Sequence, residues 1–253
     1  ARPGRPIRLM PRPPQEPELN GALLIDKPAG PTSHDIVDIV RGLYHIQKVG
    51  HCGTLDPAAT GLLILLLGRA TKLSQKLTAD DKVYEGTLQL GQTTDSYDAQ
   101  GEITATAEVP VLDAAALNSA AEHFTGDLQQ KPPMVSAVKK DGVPLYKLAR
   151  KGKTVEREAK TVHIYSFNFN NYTPPVAAFR VHCSKGTYVR SLAHELGQKL
   201  DCGAHLSTLH RTRSGVFEVA KATRLEELVT LPDAELPGRV LSLLELTRLL
   251  KPE

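Results

Sequence analysis

Residues 50–63 read Gly50-His51-Cys52-Gly53-Thr54-Leu55-Asp56-Pro57-Ala58-Ala59-Thr60-Gly61-Leu62-Leu63. They place one carboxylate, Asp56, between a tight turn and an apolar run. Gly50 and Gly53 lack a Cβ, so the backbone there can take the positive φ that such a turn needs. Residues 62–67 are apolar throughout and anchor this part of the chain in a core. By local pattern, Asp56-Pro57 predicts a helix start, with Asp as N-cap and Pro at the first helical position. An acid held rigidly at the edge of a packed element serves as a cap, and the same placement suits a catalytic group.

The rest of the chain alternates between strand and helix patterns. Residues 20–26 predict a strand, closed by the turn Lys27-Pro28-Ala29-Gly30-Pro31. From Ser33 to Tyr44, Ile36, Val37, Ile39, Val40 and Leu43 recur at helical spacing behind Thr32 or Ser33 as cap. Residues 83–90 alternate like a strand, and 113–124 are Ala-rich and helical. Residues 160–169 and 177–183 predict strands around an Asn-Asn-Tyr-Thr-Pro-Pro turn. Residues 188–200 predict a helix with Val189, Leu192, Ala193, Leu196 and Leu200 on one face. No regular βαβ rhythm, internal repeat, Rossmann glycine pattern or P-loop is present. The expected class is α+β, a mixed sheet with helices packed on it.

Charge is more informative by position than in sum. The net value is only +3, yet residues 81–130 hold nine acidic side chains against one basic, and 131–160 hold nine basic against three acidic. Such separation implies a one-sided electropositive surface suited to a polyanion. Residues 1–19 carry Arg2, Arg5, Arg8 and Arg12 among six prolines, the composition of a disordered basic tail. No apolar stretch comes after them, so they do not read as a secretory signal. Cys52, Cys183 and Cys202 lack metal-finger spacing, and their odd number fits a reducing compartment; no metal is expected. No run approaches the roughly 20 apolar residues that span a bilayer.

Several stretches, in order, resemble the TruB family of pseudouridine synthases. The segment 50–63 resembles that family's aspartate motif. Leu24-Ile25-Asp26-Lys27-Pro28-Ala29-Gly30-Pro31-Thr32-Ser33 resembles its first motif, and Lys82-Val83-Tyr84-Glu85-Gly86 its tyrosine strand. Lys131-Pro132-Pro133-Met134-Val135-Ser136-Ala137-Val138-Lys139 and Leu145-Tyr146-Lys147-Leu148-Ala149-Arg150-Lys151-Gly152 are similar to its central segment. Cys183-Ser184-Lys185-Gly186-Thr187-Tyr188-Val189-Arg190-Ser191-Leu192 and residues 205–215 are similar to its last two motifs. Cys52 stands where Thr is frequent and Val135 where Tyr is frequent; neither change removes a charge or a proton carrier.

The resemblance implies the pseudouridine synthase fold, a mixed and mostly antiparallel sheet with flanking helices and a central catalytic cleft. It implies isomerisation of the T-loop uridine of tRNA, position 55, with no cofactor, because the bonding electrons stay with the substrate. Asp56 would be the essential residue, as nucleophile toward C1′ or the base, or as base toward the sugar. Arg190 would keep it ionised, since an apolar pocket alone would favour the neutral acid. Tyr84, counted with Asp56 and Arg190 as catalytic, would stack on the target base and serve as a proton acceptor; Tyr188 would line the pocket and Leu206 would pack beneath. His51 would fill the gap left by the flipped base. Lys27 would support the active-site loops or contact phosphate. Lys139, Lys140, Lys147, Arg150, Lys151, Arg211 and Arg213 would contact the RNA backbone.

On this reading the catalytic domain covers 20–219. Residues 220–253, with two apolar helical stretches, form a short extension too small for the family's PUA domain. The expected partner is the tRNA T-arm, with no obligate protein partner, no membrane, a monomeric state and a cytoplasmic location. A guide-RNA-dependent relative of the dyskerin type and an RNA-folding module with vestigial catalysis are the alternatives. His51 and the missing terminal domain weigh against the first. The joint presence of Asp56, Tyr84 and Arg190 weighs against the second.

Overall fold

The computed structural model describes residues 19–136, 139–140, 142–145 and 155–250. Strand β1 (Gly21–Lys27) opens it, and a turn leads into helix α1 (Ser33–Leu43). Thr32 caps α1 reciprocally: its hydroxyl accepts from Asp35 N at 3.0 Å, and Asp35 Oδ2 accepts from Thr32 N at 2.8 Å. Ile36, Val37 and Val40 are buried, as the helical spacing predicts.

Strands β2 (Val49–Cys52) and β3 (Thr60–Leu67) then pair antiparallel, joined by the turn that carries Asp56. Here the structure corrects the local pattern: Asp56-Pro57 does not begin a helix. Ala59 N donates to Asp56 O at 3.0 Å, closing a tight turn, and the chain runs directly into β3. The cause is burial on two sides. Leu63, Leu65 and Leu67 enter the main core, while Leu62, Ile64 and Leu66 enter a second core on the opposite face. A strand covered on both faces uses an unbroken apolar run; periodicity alone does not separate it from a buried helix.

Helix α2 (Ser74–Thr78) precedes the long strand β4 (Lys82–Leu90). A small hairpin, β5 (Gln92–Thr94) and β6 (Ile103–Thr106), leads to α3 (Ala114–Glu122), capped by Asp113. Strand β7 (Gly126–Gln130) and the short pair β8 (Lys139–Lys140) and β9 (Val143–Pro144) come next. Strands β10 (Lys160–Thr173) and β11 (Val176–Cys183) form a hairpin, succeeded by α4 (Val189–Lys199) and β12 (Ala204–Ser214). The remainder comprises β13 (Phe217–Glu218), β14 (Thr223–Arg224), α5 (Leu225–Leu228), β15 (Val240–Ser242) and α6 (Leu243–Leu249).

The main sheet runs β14-β1-β3-β12-β4-β11-β10-β7, with β2, β13 and β15 pairing β3, β12 and β1. Only β1/β14 and β3/β12 are parallel, so the sheet is mixed and mostly antiparallel, as expected. Buried side chains of α1, α3 and α4 pack on one face in the main core; those of α2 and α6 close the second core on the other. Among the described residues, the stretches beyond residue 220 contribute two short α-helices, a 3-10 helix at Asp233–Arg239 and two short strands, and β14 and β15 both attach to β1. No helix among the described residues is long and apolar enough to cross a membrane.

Candidate active site

The turn bearing Asp56 is pinned from beneath by two buried cations. The Lys27 ammonium donates to the carbonyls of Pro28 at 2.9 Å, Pro57 at 3.1 Å and Ala59 at 2.7 Å. The Arg211 guanidinium donates through Nε to Leu62 O at 2.7 Å and through Nη2 to Gly53 O at 3.0 Å. Gly53 has φ +79°, and a Cβ there would press on Arg211 Nη1. Ser33 adds a third fixing point: its Oγ accepts from Leu55 N at 2.9 Å and donates to Leu55 O at 3.1 Å. Carbonyls solvate the two cations without neutralising them, and the Lys27 charge acts on the Asp56 carboxylate. Burial pushes the Lys27 amine down to about 8, and the nearby Asp56 opposes that.

Arg190 lies in the first turn of α4 with a side chain only 5% exposed, and its Nε is 3.1 Å from Asp56 Oδ2. Its other nitrogens are also engaged. Nη2 donates to Val135 O at 2.8 Å, and Nη1 donates to Ser96 O at 3.3 Å and lies 3.5 Å from Asp98 Oδ2. The guanidinium therefore joins two carboxylates. Burial raises the Asp56 pKa; Arg190 lowers it, Asp98 raises it again, and Lys27 lowers it. The Asp56 side chain keeps 44% of its exposure and opens onto a cleft lined by Ala59, Asp98, Arg190, Leu206 and Thr208.

Tyr84 on β4 pairs in register with Arg211 on β12 and is 9% exposed. Burial raises its phenol pKa, with Arg211 beside it as the chief opposing influence, so the group is neutral near pH 7. Leu206 is on the same sheet face and lines the cleft. His51 on β2 is half-buried, its Nδ1 has no hydrogen-bond partner among the described residues, and burial lowers its pKa, leaving a neutral, flat imidazole. Tyr188 forms the N-cap of α4, and burial raises its phenol pKa. The buried Gln130 fixes that helix start, accepting from Tyr188 N at 2.8 Å and donating to Tyr188 O at 3.1 Å.

The structure corrects part of the predicted RNA-backbone set. Arg211 is 1% exposed and occupied by carbonyls, so it braces the Asp56 turn and does not reach a phosphate. Arg213 pairs with Val83, the neighbour of Tyr84, and lies 3.4 Å from His182 Nε2; it is therefore on the sheet face away from the cleft. Lys27 is fully buried, which leaves the loop-supporting role and removes the phosphate contact. Lys139 and Lys140 form β8, whereas Lys147, Arg150 and Lys151 lie outside the described residues. Sequence reasoning missed Asp98, Ser96 and Gln130. For Asp98 the available signal was a dense polar turn, Asp95-Ser96-Tyr97-Asp98-Ala99-Gln100-Gly101, directly after a strand.

Residues 41–189 match the model of the TruB family pseudouridylate synthase N-terminal domain, and residues 190–252 match that of the tRNA pseudouridylate synthase B C-terminal domain. The chain belongs to the TruB family. It is 51% identical over 224 residues to the tRNA pseudouridine synthase B of Opitutus terrae, covering 88% of this chain and 93% of that protein. The protein of the same name from Haemophilus influenzae is 45% identical over 235 residues, covering 93% of this chain and 73% of the relative. Among solved structures, a Cbf5-Nop10-Gar1 complex superposes with TM-score 0.66 at 31% identity over 83% of this chain. An H/ACA RNP bound to a substrate RNA containing 2′-deoxyuridine superposes with TM-score 0.63 at 28% identity over the same share. This chain spans about half the length of those two structures' chains, 54% and 53%. The TruB-type chain is thus a pseudouridine synthase, an isomerase, and its fold is that of the family.

Proposed function

We propose that this TruB-family chain converts the T-loop uridine of tRNA, position 55, to pseudouridine without a guide RNA. The carrying observation is the Asp56–Arg190 pair at 3.1 Å, open on one side to a cleft and backed by buried Lys27. The target uridine is extruded from its loop, with His51 filling the vacated stack. The N1–C1′ bond breaks, the base turns against Tyr84 and Leu206, C5 bonds to C1′, the C5 proton leaves to solvent and N1 takes up a proton in its place. Asp56 acts as the anionic group, either as nucleophile or as base. Tyr84, as a neutral phenol, offers its ring face to the base; such stacking contributes about 1–3 kcal/mol. Tyr188 lines the pocket, and Lys139, Lys140, Lys147, Arg150 and Lys151 contact the RNA backbone.

Residues 20–219 form the catalytic unit, with 220–253 as a short extension. The enzyme works as a monomer in the cytoplasm on the isolated T-arm. The relatives named tRNA pseudouridine synthase B, at 45–51% identity, support the guide-free reading over the Cbf5-like one. Tritium release from C5-labelled uridine in a T-stem-loop hairpin, with no other macromolecule, tests both points. Wild type should turn over the hairpin, and Asp56→Asn should bind it without forming product. Product at the normal rate in Asp56→Asn removes the role given to that residue; dependence of the wild type on an added RNA removes the guide-free reading.

A further inference from the structure

Arg190 Nη1 faces the polar turn at residues 94–101, which supplies the Ser96 carbonyl and the Asp98 carboxylate. The turn is internally tied. Asp98 Oδ1 accepts from Ser96 Oγ at 2.6 Å and from Gln100 N at 3.0 Å, and Thr94 Oγ1 donates to Asp98 O at 2.7 Å. Two hydrogen bonds fasten it to β12: Leu206 N donates to Tyr97 O, and Ala99 N to Leu206 O, both at 3.0 Å. These bonds set the turn against the sheet. They do not set it against helix α4, which carries Arg190.

A different contact makes that connection. Tyr97, a non-glycine residue at φ +65°, lays its ring on His194 with centroids 3.9 Å apart and planes 16° from parallel. His194 is one helical turn beyond Arg190 on α4, so both side chains share a face of that helix. Among the described residues His194 Nδ1 is buried without a hydrogen-bond partner, and burial lowers the imidazole pKa. Its Nε2 meets the Gln198 amide at 3.0 Å. A neutral ring with an idle nitrogen contributes through its flat face and not through a proton.

We propose that Tyr97 and His194 are positioning residues for the isomerisation: their stack locks the 94–101 turn onto α4, so that Asp98 and the Ser96 carbonyl orient the Arg190 guanidinium with Nε toward Asp56. The inference rests on the reading of Asp56 as the reacting carboxylate. It adds a specific requirement, that the turn and the helix move as one body. Tyr97 keeps its left-handed backbone in spite of its Cβ, and the stacked ring is held by that backbone direction.

The test is steady-state turnover of a T-stem-loop hairpin with thermal unfolding measured in parallel. His194→Ala removes one ring. Tyr97→Gly removes the other and tolerates the positive φ. Each should lower kcat at least about five-fold, equivalent to ~1 kcal/mol of barrier, with KM little changed. His194→Phe and Tyr97→Phe, which retain the stacked planes, should restore kcat. Unchanged kcat in His194→Ala and Tyr97→Gly overturns the proposal, as does failure of the Phe variants to rescue or a loss confined to KM. Asp56→Asn is run beside them. If it is active, the site assignment falls; if it is inactive while both ring deletions run at full rate, the clamp alone falls.

Discussion

Replacing Arg190 by Met keeps an unbranched stem of shorter reach and removes the cation 3.1 Å from Asp56. At that separation two unit charges attract by on the order of 5 kcal/mol at an effective dielectric of about 20. Asp56 keeps 44% exposure, and water screens the pair, so the usable part is roughly 1 kcal/mol. If ionised Asp56 is the reacting form, kcat near neutrality falls about 5-fold. The sign of the pH dependence is set by the groups around the carboxyl. Burial and Asp98 already raise its pKa while Arg190 lowers it, so the variant's carboxyl titrates higher still. At a given pH a smaller fraction is then ionised, and alkali restores it. The deficit relative to wild type should therefore widen as pH falls and narrow as pH rises. The assay is single-turnover pseudouridine formation at saturating enzyme, so that RNA affinity drops out. A deficit of constant size at every pH refutes the electrostatic role and leaves only a geometric one; equal rates refute both.

Three further outcomes are expected. Lys27→Met leaves the carbonyls of Pro57 and Ala59 without their donor; because the wild-type amine titrates near 8 folded against 10.5 in the unfolded chain, the unfolded state binds more protons between those values. The stability advantage of wild type over Lys27→Met should thus grow as pH rises from 8 to 10.5, measured by urea unfolding, and a flat difference would contradict the assignment. Gly61→Ala places a Cβ against the Arg211 backbone at φ +96° and should cost about 2–4 kcal/mol in the same measurement. Thr32→Ala breaks the capping box of α1, whose first residue, Ser33, holds Leu55; it should cost ~1 kcal/mol with little change in kcat.

The sequence alone was sufficient for the elements with a clear period and a polar face. α1, α4 and β4 appear where spacing puts them, and the β10–β11 hairpin forms with its first strand extended to Thr173, through most of the turn expected at 170–175. Ordered motifs also singled out Asp56 and Arg190, which lie on a turn and a helix and which the fold brings to 3.1 Å. Tertiary structure decided what local pattern does not encode. Residues 60–67 became a strand because two cores close on opposite faces, which erases the period that would distinguish strand from helix. Arg211 turned from the expected phosphate contact into a buried brace because carbonyls of Gly53 and Leu62 converge on it. Asp98 entered the site because a guanidinium from α4 reaches the turn that carries it. Local pattern reports how often a side chain is covered; what covers it is chosen by chain segments far away in sequence, and charge pairing across such distances exists only once the sheet has brought them together.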